Sequence, residues 1–362
     1  MTNLTKEEKQ LWNTCVSFHG HVCGGLLVGF RAAMYAVQLL DLNWYKEEEL
    51  LCISETDTCA VDAIQVVLGC SMGKGNLMFH ITGKNAFSFY NRRTGASVRL
   101  VLRPLGGRDR VEHLLLVNGR TMEELFDVTE TRLEIPCLHR RIERVCCSDC
   151  GEELSEEKAV YREGRPFCID CLQRIDRFHL KYMGGFFMSQ KTWEECVAFH
   201  GHQCPGLSIG YRASQYAIEL LELTFSEDEQ VVCVAENDAC GIDGIQVMLG
   251  CSVGKGNLLF HLTGKQAFSV YNRETGKSVR LVLKPQPEQP TKEKTMEWYN
   301  TASLDTLFDV KETTIELPEQ ARLFRSECCA CCGEMTGEHF LRLQGGKKVC
   351  LDCWDTYCRF DV

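Results

Sequence analysis

The stretch CVSFHGHVCGGLLVGFRAA, residues 15–33, decides the fold, because a near copy, CVAFHGHQCPGLSIGYRAS, stands at residues 196–214. The offset of 181 residues, Cys15 to Cys196, persists downstream. It pairs IQVVLGCSMGKGNLMFHITGK from Ile64 with IQVMLGCSVGKGNLLFHLTGK from Ile245, then FYNRRTGASVRLVL with VYNRETGKSVRLVL. One residue is gained after Pro104 and Pro285, so that Cys147 matches Cys329 at an offset of 182. Similarity of this length means duplication, and a period this long is a domain pair burying its own core, not a solenoid unit.

Within one copy, residues 6–18 and 24–40 read as helices joined by a turn that carries His-Val-Cys. Residues 49–56 read as a strand, and 60–69 as a short helix opened by Thr56-Asp57-Thr58. Strand alternation follows near 77–82 and over 86–102. The expected class is α+β. KPQPEQPTKEK (284–294) reads as an exposed loop, with LGGRDR (105–110) in the same place of the first copy. MEELFDV and LDTLFDV read as short helices before the cysteine-rich ends. The domain plan is therefore a core over 1–136, a finger over 137–183, a second core over 184–319 and a second finger over 320–362.

Each copy ends in a four-thiolate pattern. Cys147-x2-Cys150 is followed after seventeen residues by Cys168-x2-Cys171, and Cys329-x2-Cys332 is followed by Cys350-x2-Cys353 at the same spacing. A CxxC turn places two sulfurs on one ion, glycine after the second cysteine allows the tight knuckle, and the second pair closes a tetrahedral zinc site. Such closed sites stabilise folding and leave no position for a substrate. The second pair is expected to open a helix in both copies, as in a treble-clef finger. Extra cysteines near the fingers, Cys146, Cys328, Cys331 and Cys358, do not repeat the ligand spacing.

The clusters near the start of each copy are more open. Cys15, His19, His21 and Cys23 lie within nine residues, and Cys196, His200, His202 and Cys204 reproduce them. Cys23 falls at a helix N-terminus, where the macrodipole favours thiolate and metal binding. Cys15 sits on the apolar side of the first helix with Leu11 and Phe18 and reads as core. Cys59 and Cys240, each after a strand and before a helix, are the distal ligand candidates. Asp62 and Asp243, three residues on, are candidate partners for a histidine. Three protein ligands, His21, Cys23 and Cys59, would leave a fourth position for water, substrate or His19. The same four residues, Cys59, Asp62, Cys240 and Asp243, are the candidates for a catalytic role. The bland alternative is buried thiols and satisfied histidines. GCSMGKGNL and GCSVGKGNL lack the GxxxxGK[ST] spacing and run into a strand, so a structural turn is the better reading. Lys74 and Lys255 are weak candidates for holding an anion. Cys70 and His80 follow strand alternation and read as core or as neighbours of the site.

The 362 residues include 23 cysteines, carry a formal net charge of −10, and are 44% hydrophobic and 25% charged. This is an ordinary packed-protein composition. The cysteines cluster in CxxC pairs behind an N-terminus without a signal-peptide pattern, which points to metal thiolates in a reducing, cytoplasmic setting and not to disulfides. No apolar run reaches membrane-spanning length. A pI of about 5.6 gives no footprint for general nucleic-acid or anionic-membrane binding.

On FHGHxC-[GP]-GLxxGxRAA, the CxxD-A/G-IQ helix and GCSxGKGNLxFxxTGKxAF, both copies resemble the FmdE family of formylmethanofuran dehydrogenase proteins, and the resemblance spans nearly the whole chain. It implies a mixed sheet flanked by helices, thioredoxin-like in outline, with an appended treble-clef finger. It also implies a metal-binding core associated with molybdenum or tungsten formylmethanofuran dehydrogenases. By this resemblance the core ligands are His19, His21, Cys23 and Cys59 in copy one, and His200, His202, Cys204 and Cys240 in copy two. Copy one departs at Gly24, where copy two has Pro205, and glycine there is expected to loosen the turn.

The leading expectation is a metal-binding accessory protein of anaerobic one-carbon or molybdoenzyme metabolism, with two zinc fingers and two core sites for zinc or another transition metal. Its partner would be a molybdenum or tungsten oxidoreductase or its maturation machinery, and the fusion would imitate a homodimer. Two alternatives stand beside it. An enzyme would use the open zinc, or a Cys23/Cys59 thiol pair, with Asp57 or Asp62 as base, although neither HxE…PCxxC nor HExxH is present. An adaptor would use the fingers, aided by the basic stretch HRRIERVCC (139–147).

Overall fold

The computed structural model describes residues 4–42, 50–106, 110–133, 144–162, 164–172, 191–317, 319–322 and 324–355. The first half runs α1 (Lys6–His19), α2 (Gly24–Leu39), β1 (Leu50–Ser54), α3 (Ala60–Leu68), β2 (Leu77–Phe79), β3 (Ala86–Asn91), β4 (Ser97–Leu102), α4 (Arg110–Gly119), α5 (Met122–Leu125) and β5 (Phe126–Thr129). Finger one holds β6 (Arg144–Cys146), β7 (Glu153–Ser155), β8 (Val160–Arg162), β9 (Arg165–Phe167) and α6 (Ile169–Leu172). The second half repeats the first as α7 (Trp193–His200), α8 (Pro205–Leu221), β10 (Val231–Ala235), α9 (Gly241–Leu249), β11 (Leu258–Phe260), β12 (Ala267–Asn272), β13 (Ser278–Leu283), α10 (Lys292–Thr301), α11 (Leu304–Leu307) and β14 (Phe308–Lys311). Finger two holds β15 (Ser326–Cys328), β16 (Met335–Gly337), β17 (Arg342–Gln344) and β18 (Lys347–Val349).

The class is α+β. Each half has one mixed five-stranded sheet, ordered β2-β1-β3-β4-β5 and β11-β10-β12-β13-β14. β1 pairs parallel to β2 through Cys52 and Leu77, while the other neighbours are antiparallel. The helices pack their apolar residues on one sheet face, where Leu26, Phe30, Ile64, Phe87, Phe89 and Leu100 are fully buried. Two segments read differently from the sequence expectation. Residues 292–301, at the end of the proline-rich stretch, form α10, and α4 is its counterpart. MEELFDV divides into α5 and an edge strand, since Phe126 has extended dihedrals and joins the sheet opposite Leu102.

Local chemistry sets the helix ends that matter for the site. Thr5 and Glu8, like Thr192 and Glu195, form reciprocal capping boxes, and Gly20 and Gly201 stop α1 and α7 in the left-handed region at φ 94° and 89°. Cys23 then caps α2, its sulfur accepting the Leu26 N–H at 3.3 Å, and Cys204 does the same for α8. α2 presses on α3 so closely that a Cβ on Gly29 would stand 2.0 Å from the Ala60 carbonyl oxygen.

The halves meet about a pseudo-twofold axis, with matching residues touching one another. Phe18 and Phe199 stack with centroids 4.8 Å apart. The buried amides of Gln65 and Gln246 exchange two hydrogen bonds, of 3.0 and 3.1 Å. This is the isologous geometry of a homodimer held within one chain.

Each half keeps its own helix-sheet core, but the fingers correct the expectation that a copy is self-contained. Finger two covers the open sheet face of the first half: Gly337 N–H donates to the Gly83 carbonyl at 2.8 Å, and Thr336 bridges to Lys84. Glu334 lies between Arg99, Lys84 and Arg132, and Asp352 takes Lys84 and His80. Finger one covers the second half in the same way. Glu152 pairs with Arg280, Lys265 and Lys311, and Asp170 with Lys265 and His261. Arg99 is 1% exposed and also receives Glu55, so each buried cation is matched by carboxylates on both sides. Burial alone would raise the Glu334 carboxyl, but Arg99 and Lys84 hold it down at about 2. His80 is thus a half-exposed finger contact and not a core residue, whereas Cys70 is fully buried.

Candidate metal centres

The two finger clusters bring together the cysteines of the spacing argument. In each of the sets Cys147, Cys150, Cys168, Cys171 and Cys329, Cys332, Cys350, Cys353, the four sulfurs lie within 4.8 Å of one another. Gly151 and Gly333 carry the knuckles at φ 73° and 78°. Cys168 N–H donates to Cys147 Sγ and Cys350 N–H to Cys329 Sγ, both at 3.3 Å. The thiol pairs split in acidity. A hydrogen bond from Cys150 brings Cys168 down to about 4, and Cys150 is pushed up by the same contact. After the second pair, α6 forms in finger one, while Leu351–Cys353 is a turn in finger two, so the expected helix is absent there among the described residues. Cys331 is exposed and donates its N–H to Cys329 Sγ at 3.4 Å. Cys358 and most of the basic stretch 139–147 lie outside the described residues.

In each half, the core centre forms where two helix N-termini converge. Cys23 stands at the N-terminus of α2 and Cys59 at that of α3. A Cβ on Gly25 would lie 3.6 Å from Cys59 Sγ and 4.0 Å from Cys23 Sγ, so the sulfurs flank one point and only glycine leaves it clear. Gly206 stands likewise between Cys240 and Cys204. His19 ends α1 with its ring fully buried and Nε2 at 3.6 Å from Cys23 Sγ; His200 Nε2 lies 3.5 Å from Cys204 Sγ. His21 and His202 sit at the exposed rim, each ring 4.6 Å from its buried neighbour. The ligand atoms of His19, His21 and Cys23 lie within 4.8 Å of one another, as do those of His200, Cys204 and Cys240.

These separations suit a metal. Tetrahedral zinc with Zn–S of about 2.3 Å and Zn–N of about 2.0–2.1 Å requires sulfur and nitrogen roughly 3.5 Å apart and two sulfurs roughly 3.8 Å apart. The core sulfur-nitrogen distances are 3.6 and 3.5 Å, and Cys150–Cys168 and Cys332–Cys350 are both 3.9 Å. Acidity points the same way. A hydrogen bond from Cys59, helped by His19 and the Leu26 N–H, lowers Cys23 to about 4 against the opposing effect of burial. Cys59 is pushed up by the same contact and by burial. Burial alone would lower His19, but Asp62 and the Cys23 thiolate raise it to about 9. Without a metal the pair is thus imidazolium and thiolate, and metal binding releases the histidine proton. Cys15 is buried core with a raised pKa.

Asp62 and Asp243 are fully buried and accept from His19 Nδ1 and His200 Nδ1 at 2.6 Å, which leaves each Nε2 facing the cysteine. The sequence reading missed who else holds these carboxylates. Ser252 Oγ donates to Asp62 at 2.6 Å and Gly254 N–H at 3.0 Å; Ser71 Oγ and Gly73 N–H hold Asp243 at 2.6 and 2.9 Å. The GCSxGKGNL loop is therefore a turn whose donors hold a carboxylate of the opposite half. Its repeated serine and glycine were the available signal. Lys255 is buried and donates to the Ser226 carbonyl at 2.8 Å, and Lys74 Nζ lies near Gly201 of the other half. Asp57 is exposed.

Gly24 needs a second correction. The turn has the same shape in both halves, with Cys23 at φ −144°, ψ 165° and Cys204 at φ −151°, ψ 157°, so glycine does not loosen it. It makes room instead: a Cβ at position 24 would stand 2.4 Å from Nδ1 of His113, a half-buried residue of α4. Thr295 holds the corresponding position beside Pro205 in the second half. The first centre therefore has a third histidine at its mouth.

Comparison with known proteins follows the same duplication. The profile described as "FmdE, Molybdenum formylmethanofuran dehydrogenase operon" matches residues 18–139 and 199–322. A probable S-adenosyl-L-methionine-binding protein of Archaeoglobus fulgidus is 27% identical over 191 residues, 44% of this chain and 51% of that protein. This chain spans about half the length of that relative. Among solved structures, an FmdE-like protein of tungsten formylmethanofuran dehydrogenase from Syntrophus aciditrophicus aligns with a TM-score of 0.34 at 22% identity, over 44% of this chain and 88% of that one.

Proposed function

The chain belongs to the FmdE family, and from that premise we propose that it is a metal-binding accessory protein of molybdenum- or tungsten-dependent one-carbon metabolism. It holds zinc in two structural fingers and zinc or another transition metal in two core centres formed by His19, His21, Cys23, Cys59 and by His200, His202, Cys204, Cys240. The observation that carries this reading is the buried carboxylate, imidazole and thiolate series, built twice at the separations a tetrahedral metal needs. The partner in this reading is a molybdenum or tungsten oxidoreductase or its maturation machinery. No helix among the described residues is long and apolar enough to cross a membrane.

The exposed rim histidines and His113 favour a second reading, an enzyme acting at the open side of the core centre. A metal bound there would polarise a substrate oxygen or activate water. The chain's own contribution is the buried Asp62, which holds the His19 Nδ1 proton, and the two helix N-termini, which favour thiolate. The finger-adaptor reading is weaker, because each finger spends an acidic face on the opposite core.

Elemental analysis tests the proposal. It expects about four ions per chain, falling by about one in Cys23→Ser and in His21→Ala with the fold retained. Two ions in every variant would end the core-site reading.

A further inference from the structure

Resting on the core-metal reading, we propose that each core centre is assembled from both halves of the chain: Ser252 and Gly254 act as positioning residues for the first centre, and Ser71 and Gly73 for the second. Asp62 lies in the first half, yet two of its three partners come from the second. Oδ2 receives His19 Nδ1 and Ser252 Oγ, both at 2.6 Å, and Oδ1 receives Gly254 N–H at 3.0 Å. Asp243 repeats the arrangement with His200, Ser71 and Gly73. Both carboxylates are wholly buried, so no water replaces a lost donor cheaply.

Such a carboxylate fixes the tautomer and the aim of the imidazole, and its own orientation depends on the donors that hold it. The trans loop is shaped for that task. A Cβ on Gly254 would stand 2.6 Å from Asp62 Cγ, and one on Gly73 would stand 2.6 Å from Asp243 Cγ, so glycine is required for the N–H to reach the carboxylate. The loops follow directly on the helices that bear the ligands. α3 begins after Cys59 and carries Asp62 of the first centre, and two residues past its C-cap Gly69 stands Ser71, which supports the second. One short helix therefore touches both centres, and the Gln65–Gln246 amide pair ties it to its counterpart.

The test separates a trans role from a general loss of fold, because Ser252→Ala and Ser71→Ala are the same change at pseudo-equivalent places. The fingers are first filled with zinc. One background disables the second centre with Cys204→Ser and Cys240→Ser, the other disables the first with Cys23→Ser and Cys59→Ser. Cobalt(II) is titrated in, and the thiolate-to-cobalt absorption band gives the affinity of the remaining centre. With only the first centre intact, Ser252→Ala weakens cobalt binding about 10- to 100-fold and Ser71→Ala changes it less than about twofold; with only the second intact, the pattern inverts. Gly254→Ala and Gly73→Ala follow the same crossed pattern and serve where a serine variant expresses poorly. Serine variants that act on their own half, on both centres equally or on neither overturn the inference while the bands uphold the metal reading. Absence of a cobalt-thiolate band in both backgrounds overturns the metal reading, and this inference with it.

Discussion

Replacing Gly24 with proline puts the second half's solution into the first half and should fail for one reason. The backbone is ready for it: Cys23 is already extended, as a residue before proline must be, and position 24 is the first of α2, where proline is well tolerated. Taken alone, the change should stabilise by about 0.4–1 kcal/mol through the unfolded chain. The obstacle is His113. A Cβ at position 24 would lie 2.4 Å from Nδ1, 3.3 Å from Cε1 and 3.4 Å from Cγ. Ordinary contact is about 3.5 Å, so the ring must retreat by roughly 1 Å from a half-buried position, and overpacking of that kind costs about 1–3 kcal/mol. Gly24→Pro alone should therefore be net destabilising, whereas in a His113→Thr background, which copies the second half, it should become stabilising. The assay is denaturant unfolding at saturating zinc for the parent, both single variants and the double, with unchanged slopes required for comparison. Coupling of about 1–3 kcal/mol is expected. A neutral or stabilising Gly24→Pro, or the same shift with and without His113, would refute the reasoning.

Two further outcomes follow from the same contacts. Glu334→Gln should loosen finger two from the first half by about 3 kcal/mol, the low end for breaking a buried pair because Arg99 keeps Glu55 and Lys84 keeps Asp352; hydrogen exchange should rise over residues 326–353 and at β1 and β4 but not in finger one, and Glu152→Gln should do the reverse. In zinc-free protein, Cys23 should be alkylated readily at pH 6, with its reactivity falling only as the pH drops through about 4, where an ordinary thiol is ionised to roughly one part in three hundred at pH 6; a Cys23 profile with its midpoint above pH 7, read by peptide mass spectrometry, would contradict the proposed thiolate.

Much of this protein is legible in its residues because much of it is local. CxxC turns, the Thr5–Glu8 and Thr192–Glu195 capping boxes, the glycine stops at 20 and 201 and the thiol cap at Cys23 are set within a few residues of chain, and spacing alone encodes them. Period and offset disclose the duplication, and a strand end before a helix marks Cys59 and Cys240. α4 and α10 were illegible because they carry little apolar periodicity and gain their order from packing on α2 and α8.

What the residues by themselves could not decide is which half completes which. Both halves present the same arginine on the open sheet face, and both fingers carry the same glutamate after their knuckle. Arg99 would find an equivalent partner in Glu152 or in Glu334. The same ambiguity holds for Asp62, which Ser71 or Ser252 could serve equally well by chemistry. A duplicated sequence is degenerate in this respect, and only the path of the chain through space breaks the tie. The tertiary structure resolves every one of these choices across the axis, and it sets His113 over Gly24 through the packing of α4 on α2. Ligand identity is thus written in the sequence, and the crossed support of those ligands arises in the fold.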